Sequence, residues 1–285
     1  MTDASLAIEE GNFHSSARQQ KHRHDLIDAW LQLSGRAWSC ILEVGCGQGD
    51  QTASLAKRFA QSKITAIDPA SPEYGSPTTL GQSQAALKAT PWGQNITFEQ
   101  MDAVSFAARS KSGKAEKQDI AVLSHCIWYF PSPQILTDTF QALKSTGTRH
   151  LALAEWDIST GATSASVHLH SVLLQALPAA LRDTEANIRC PLTPNAIREA
   201  ACKAGWKVRG EMTLKSPDLE DAQWEIYAAK AAIAKMQKAH LKNEDQIALH
   251  AHEAALQAAI SHWEASRRST DSLAPCLDVW VSVFE

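Results

Sequence analysis

The 285-residue chain lacks the features of a membrane-spanning, secreted or repeat protein. It has no apolar run long enough to span a bilayer, and no charged and then apolar signal peptide opens it. It also contains no low-complexity tract and no internal repeat. We therefore expect a cytoplasmic protein with no membrane partner, folded as one large domain or as a domain with a cap.

Paired cysteines and paired metal ligands are missing as well. The six cysteines are scattered without a C-x-x-C pair, which predicts reduced thiols rather than a disulfide framework. His168 and His170 are two residues apart, as are His250 and His252. This spacing does not bring two side chains to one helix face, so we predict no bound metal.

The chain has no excess of basic residues, because its formal net charge is -4. The most basic stretch, residues 18–23, is interrupted by glutamines and a histidine and is typical of a solvated helix face. We expect a small-molecule substrate and no nucleic-acid partner. Composition leaves the oligomeric state open between a monomer and a homodimer.

Residues 40–50 carry the strongest positive signal. An apolar run ends in Glu43, and three glycines follow at alternate positions, Gly45, Gly47 and Gly49. A strand that turns into a helix through glycines presents bare backbone amides to a ligand. The next strand-like run ends in Asp68, whose carboxylate could accept hydrogen bonds from two ribose hydroxyls. The pattern predicts a nucleotide site.

The third small residue of the dinucleotide-binding pattern G-x-G-x-x-G is absent. Asp50 takes its place, and a carboxylate there would repel a pyrophosphate. Asp50 suits helix N-capping or a ligand that carries positive charge, and Glu43 adds a second acidic group. The two acids favour a cationic nucleoside over NAD.

The run from Glu43 to Gly49, followed by Asp68, resembles the first motifs of the class I S-adenosylmethionine-dependent methyltransferases. The resemblance covers residues 38–157 well, and 193–215 and 276–285 more loosely. It implies S-adenosyl-L-methionine as the cofactor and S-adenosyl-L-homocysteine as its product. The cofactor-binding residues that it implies are Glu43, Gly45, Cys46, Gly47, Gly49, Asp50, Asp68, Pro69, Asp102, Ala103, Ser124 and His125.

Alternating strand-like and helix-like runs predict an α/β fold, and the resemblance implies a Rossmann-like, mostly parallel sheet with an antiparallel last strand. We place the seven strands at 39–44, 64–68, 96–101, 119–125, 150–156, 206–214 and 277–284. The alternation in 277–284 predicts an edge or half-exposed strand. The predicted helices lie at 15–33, 50–60, 79–89, 133–145, 164–181, 193–204 and 219–267.

Residues 1–285 are predicted to form a single methyltransferase domain, with helical lid elements at 1–35, 160–192 and 219–268. The last of these contains no Gly or Pro up to residue 267, and Asn243 to Gln246 resemble a capping box that breaks it into two helices near residue 242. Phe13 and Trp30 could fold over the cofactor. The alternative is that the inserted helices pack on a flank or mediate dimerisation.

His125 follows the fourth strand and is the candidate catalytic base, because a neutral imidazole suits proton removal near pH 7. Alternatively, His125 contacts the cofactor or caps the next helix. Glu155 and Asp157 are secondary candidates for a base or an orienting group. Trp128, Tyr129, Phe130 and Trp156 are predicted to line an apolar acceptor pocket, with ordinary aromatic core packing as the alternative.

The function predicted is methyl transfer to a small, apolar secondary-metabolite acceptor. The Ala-rich helical insertion and the aromatic mouth look similar to fungal secondary-metabolite methyltransferases. A narrower hypothesis is thiol S-methylation of a gliotoxin-type dithiol, with an oxygen or nitrogen acceptor as the nearest alternative. A cofactor-binding, pericyclase-like protein that transfers no methyl group is the rival from another class.

Overall fold

In a computed structural model, the chain forms one seven-stranded sheet that is covered by helices. The structure describes residues 16–110, 117–159, 165–180, 187–215, 218–239, 241–267 and 272–285. The strands are β1 (Cys40–Val44), β2 (Lys63–Asp68), β3 (Ile96–Gln100), β4 (Ile120–Ser124), β5 (His150–Trp156), β6 (Val208–Leu214) and β7 (Val279–Phe284). The α-helices are α1 (Ala17–Ser34), α2 (Asp50–Arg58), α3 (Leu80–Lys88), α4 (Ala103–Arg109), α5 (Pro133–Ser145), α6 (Ser166–Ala180), α7 (Pro194–Lys203), α8 (Asp221–Gln237) and α9 (Asn243–Ser266).

The strand order is β3-β2-β1-β4-β5-β7-β6. Strands β1 to β5 pair in parallel, and β7 runs antiparallel to both of its neighbours, β5 and β6. The predicted fold class, a Rossmann-like sheet with an antiparallel last strand, is confirmed. Strand β1 has β2 on one side and β4 on the other, and the chain crosses back from β3 past β1 to reach β4. A crevice therefore opens beyond the carboxyl ends of β1 and β4, where the strand order reverses.

Two apolar cores lie on the two faces of the sheet, because successive strand residues point to opposite faces. Ile41 and Val122 contribute to the core beneath α1 and α2, whereas Leu42 and Leu123 contribute to the core beneath α5 and α7. Burial on both faces explains why the central strands read as continuous apolar runs in the sequence.

Helix α1 is anchored in the first of these cores. Its Trp30 side chain is fully buried, and the indole Nε1–H donates a hydrogen bond of 3.0 Å to the Leu153 carbonyl in β5. The prediction that Trp30 folds over the cofactor is therefore wrong, and Phe13 lies outside the described residues. The turns of α1 that precede Trp30 therefore lie at the carboxyl ends of β4 and β5.

The long helical insertion breaks where the sequence predicts. Helix α8 ends at Gln237 and α9 begins at Asn243. The predicted capping box is wrong, because Lys242 holds the N-cap position, no side chain caps the helix, and Asn243 is already helical.

The predicted lid segments contact one another. Gln175 in α6 hydrogen-bonds to the Glu225 side chain in α8, and Gln19 in α1 hydrogen-bonds to Asp221 at the start of α8. Helix α6 also packs against both α8 and α9. The described parts of the three segments thus form one connected layer, and its action as a lid stays a prediction.

Two further expectations are corrected by the fold. Strand β7 is neither at an edge nor half-exposed: it lies between β5 and β6, all six of its residues are buried, and β6 is the edge strand. The structure also contains helix α4, which the sequence analysis did not place; it begins directly after the Asp102 N-cap.

Candidate active site

The glycine turn after β1 is held against β2 by backbone hydrogen bonds. The Gly45 and Cys46 N–H groups donate to the Ile67 carbonyl at 2.8 and 3.2 Å. The Gly47 N–H donates to Asp68 Oδ2 at 2.9 Å, and the Ala70 N–H donates to Asp68 Oδ1 at 2.9 Å. Asp68 therefore fixes the turn from the end of β2, at the place where the sequence predicts a ribose contact.

Glycine is required in this turn for two different reasons. Gly45 and Gly47 have φ angles of +73° and +51°, in the left-handed region that side chains disfavour. A Cβ atom on Gly45 would also lie 2.9 Å from the Cys126 side chain, whereas a Cβ on Gly47 would meet nothing within 4 Å. The turn is thus packed tightly at Gly45 and opens into free space at Gly47.

We expect Gly45→Ala to destabilise the fold more than Gly47→Ala. Both substitutions carry left-handed strain of about 1–2 kcal/mol, and Gly45→Ala adds overpacking of about 1–3 kcal/mol against Cys126. Urea unfolding of the two variants measures the difference. Equal losses in the free energy of unfolding would show that the Cys126 side chain shifts to make room for the added methyl group without an energetic cost.

The acidic residues around the turn have different environments. Glu43 is buried and accepts a 2.6 Å hydrogen bond from the Thr52 hydroxyl, and burial raises its pKa to about 8. It therefore presents no negative charge at neutral pH. Asp50 does not cap α2, because Gly49 holds the N-cap position and Asp50 is the first helical residue. A carboxylate in this first turn still interacts favourably with the positive end of the helix dipole.

The remaining predicted cofactor residues lie at the ends of β2 and β3. Pro69 is exposed directly after Asp68. Asp102 is exposed and caps α4 by accepting a 2.7 Å hydrogen bond from the Ser105 N–H, and Ala103 is buried in the first turn of that helix. Asp102 lies one strand further along the sheet edge than Asp68, and its contact with the cofactor stays a prediction.

The carboxyl end of β4 is linked to α1 and α2. The Ser124 hydroxyl lies 3.2 Å from Arg23 Nη1 and 3.2 Å from Gln51 Oε1, and Gln51 Nε2 lies 3.5 Å from the Arg23 carbonyl oxygen. His125 follows with a φ of +49°. This left-handed conformation is uncommon outside glycine and turns the imidazole away from the strand direction.

The His125 imidazole contacts three side chains. Its Nε2 lies 2.9 Å from Nε2 of His22 in α1, and its Nδ1 lies 3.5 Å from Glu155 Oε1 in β5. Its ring stacks at a tilt on Trp156, with centroids 4.6 Å apart. Burial lowers the pKa of His125 well below its ordinary value, and Arg23 adds to this effect. His125 is therefore a neutral imidazole at physiological pH.

The predicted acceptor-pocket aromatics have different surroundings. Trp156 is buried beside His125, and the buried Trp128, in the same core, donates its indole N–H to the Leu192 carbonyl at 3.1 Å. Phe130 packs partly against the core on the opposite face of the sheet, and Tyr129 is half-exposed. Trp156 contacts the His125 ring directly, and the role of the four as pocket walls stays a prediction.

Sequence reasoning missed His22 and Arg23. Both lie in α1, in the basic stretch that was interpreted as a solvated helix face, but His22 is only 3 % exposed. A signal was present, because Gln19, His22, Leu26 and Trp30 recur at helical spacing on one face. Two polar residues on an otherwise apolar stripe indicate groups that are buried for a specific contact.

The match to a known family decides which family the chain belongs to. A family model described as a methyltransferase domain matches residues 17–211, which is more than half of the chain. The chain belongs to this methyltransferase domain family. The matched region begins with α1 and ends within β6, so it includes the glycine turn, Asp68, His125 and His22.

Curated methyltransferase relatives come from a fungus. The chain is 32 % identical over 209 residues to the methyltransferases phomM' and phomM of Diaporthe leptostromiformis, a match that covers 61 % of this chain and 54 % of each relative. The chain thus spans about half the length of the curated relatives that it matches.

Solved structures show the same methyltransferase fold. A cyclopropane-fatty-acyl-phospholipid synthase-like protein from Lactobacillus casei is 28 % identical, with a TM-score of 0.78 over 100 % of this chain and 94 % of that one. The cyclopropane synthase MmaA2 from Mycobacterium tuberculosis is 13 % identical, with a TM-score of 0.51 over 100 % and 94 %, and shows the fold alone.

S-adenosyl-L-methionine is the cofactor that this methyltransferase family indicates, and the residues fit it. The glycine turn leaves free space at Gly47, and the Asp68 carboxylate lies beside it. Within the described ranges, no helix combines the length and apolar character that a membrane span needs. The described side chains also contain no group of three or more metal-ligating residues arranged to hold an ion.

Proposed function

We propose that this chain transfers a methyl group from S-adenosyl-L-methionine to a small, apolar acceptor of secondary metabolism. The observation that carries the proposal is the juxtaposition of the two halves of a transfer site at the β1–β4 crevice. The open glycine turn with Asp68 offers a nucleoside site, and the neutral His125 offers a proton acceptor at the end of the next strand.

The cofactor, when bound, supplies a methyl group that is already activated by the positive sulfonium. The residues of the chain then have to orient the reactants, exclude water and accept one proton. Asp68 and the glycine turn orient the nucleoside, and the connected layer of α1, α6 and α8 covers the strand ends from solvent. His125 is the proposed base of the transfer site.

The acceptor atom that we propose is a thiol sulfur, of the kind found in a gliotoxin-type dithiol. A thiol ionises readily, so a neutral imidazole is a sufficient base, whereas a hydroxyl demands a stronger one. The buried Trp156 ring, packed against the neutral imidazole of His125, suits an apolar acceptor. We further propose a cytoplasmic protein that needs neither a nucleic acid nor a membrane.

Labelled cofactor tests the proposal. The purified chain is incubated with methyl-labelled S-adenosyl-L-methionine and, separately, with the dithiol form of gliotoxin, a phenol and a primary amine. We expect label on sulfur. Label on oxygen or nitrogen alone would refute the thiol acceptor, while binding of the cofactor without transfer to any acceptor would favour a non-methylating protein of the same fold.

A further inference from the structure

Three titratable side chains from three separate elements lie in a row behind the strand ends. His22 comes from α1, His125 follows β4, and Glu155 lies in β5. The His22 and His125 Nε2 atoms are 2.9 Å apart, which is a hydrogen-bond distance, and His125 Nδ1 is 3.5 Å from Glu155 Oε1. Both ring nitrogens of His125 therefore face another titratable group.

The proton positions in this row depend on one another. A hydrogen bond between two neutral imidazoles needs one N–H and one lone pair. If His125 carries its proton on Nδ1, facing an ionised Glu155, its Nε2 must accept from His22. If Glu155 holds the proton and donates it to Nδ1, His125 must donate from Nε2 to His22. The protonation of Glu155 thus determines which nitrogen of each histidine carries hydrogen.

We propose that His22, His125 and Glu155 act as one proton relay in methyl transfer, with His22 as the residue that takes the acceptor's proton and passes a proton on to His125. The inference rests on the proposed methyl transfer and deepens it. His22 is a second proton-handling group for that reaction. In His125, Nε2 is engaged by His22, and the buried Nδ1 faces Glu155 without a hydrogen bond, so neither nitrogen is open to the acceptor.

The step balances in atoms and charge. The acceptor's lone pair forms the bond to the methyl carbon, and the electrons of the breaking carbon–sulfur bond remain on sulfur. The acceptor's proton goes to His22 Nδ1, the Nε2 proton of His22 moves to His125, and the Nδ1 proton of His125 moves to Glu155. The site begins with one positive sulfonium and one carboxylate and ends with neither charge, which suits a buried site.

The charged and titratable groups around the relay come from every element packed against it. Burial lowers the pKa of His22 to about 2 and raises that of Glu155 to about 7, and Arg23 opposes the charging of both histidines and favours the ionised Glu155. Glu225 in α8, whose pKa burial raises to about 7, and Tyr129, whose pKa burial also raises, interact electrostatically with Glu155.

His168 in α6 lies close to the relay but outside it. Its Nδ1 accepts the Leu277 N–H at 3.0 Å, so its proton is on Nε2, and its ring packs edge-on against Trp156. Cys126 interacts electrostatically with Glu155, but burial raises the pKa of its thiol well above the ordinary value. Both groups keep one protonation state across neutral pH, so among His22, His125 and Glu155 and these two neighbours it is Glu155 that titrates there.

Nuclear magnetic resonance of the whole chain with 15N-labelled histidine tests the relay without any acceptor. We expect the 15N chemical shifts of the His22 and His125 ring nitrogens to change between protonated and unprotonated values as the pH changes. The changes should share one midpoint near pH 7, which the pKa of Glu155 sets. Glu155→Gln should remove that step from both residues. A His22 signal that stays constant with pH, or a step that survives in Glu155→Gln, would overturn the relay.

A kinetic comparison adds a readout that a purely structural His22 would not move. On the acceptor that takes label, we expect His22→Gln to lower turnover roughly 100-fold and to lose the rate step near pH 7, with affinity for S-adenosyl-L-homocysteine within about threefold of the original. His24→Gln, on the same helix, is the matched control and should leave the pH profile intact. An unchanged profile in His22→Gln would contradict the relay, whereas absent cofactor binding in the unsubstituted chain would instead refute the proposed function.

Discussion

His125→Ala is expected to lower turnover by about 100-fold or more while leaving the affinity for S-adenosyl-L-homocysteine within about threefold. Loss of a positioned general base typically costs this much in rate. The imidazole contacts His22, Glu155 and Trp156, whereas the proposed nucleoside site lies at the glycine turn and the end of β2. Single-turnover methyl transfer and calorimetry measure the two quantities separately.

A second variant is needed to separate the effect of the imidazole from that of the left-handed backbone at His125. A φ of +49° is tolerated by Asn better than by Ala, so His125→Asn keeps the left-handed conformation while it removes the ring. We expect both variants to lose turnover equally. Full activity in His125→Asn would show that the conformation, and not the imidazole, is what the reaction needs; a parallel loss of binding and turnover would dismiss the base role altogether.

Asp68→Ala should weaken binding of S-adenosyl-L-homocysteine by about 100-fold. The carboxylate accepts hydrogen bonds from the Gly47 and Ala70 N–H groups, and we assign it the ribose hydroxyls as well. Hydrogen bonds to a charged group contribute about 1.5–3 kcal/mol each, so losing one or two of them corresponds to a factor of this size. Isothermal titration with the homocysteine product measures the change.

A matched control separates the local effect of Asp68 from that of a lost surface charge. Asp28 in α1 is exposed, and its 3.8 Å contact with Arg58 is too open to contribute much. Asp28→Ala should leave the affinity unchanged. If Asp68→Ala also binds the product as tightly as the original chain, the nucleoside does not contact the end of β2, and the assignment of the glycine turn as its site fails.

The sequence predicted the sheet well because its signals are local. The apolar runs, Gly205 after α7 and the glycine turn each report their own backbone conformation, with φ angles of +86° at Gly205 and +73° at Gly45. The position of β7 was mispredicted for a non-local reason. Trp280 and Phe284, on its other face, are apolar too. They pack in the core beneath α5 and α7, while Val279, Val281 and Val283 pack in the core beneath α1 and α2, so both faces are buried.

The residues of the candidate site also divide into those that local sequence patterns predict and those that depend on tertiary packing. Asp68 and the glycines were found because they are close in sequence and have a fixed spacing. His22 and His125 are 103 residues apart, and only the docking of α1 onto the sheet brings their rings together. Glu43 was found but assigned a charge that it lacks, because burial and its effect on pKa depend on tertiary packing.

The anchoring of α1 gives the buried core a direct influence on chemistry. Trp30 and His22 are eight residues apart on one helix, which corresponds to about 12 Å along its axis. A helix of this length moves as a stiff rod, so a half-ångström change in how Trp30 sits against Leu153 shifts His22 relative to His125 by a similar amount. Conservative replacements deep in the interior could thus retune the reaction rate while every residue around the reacting atoms stays the same.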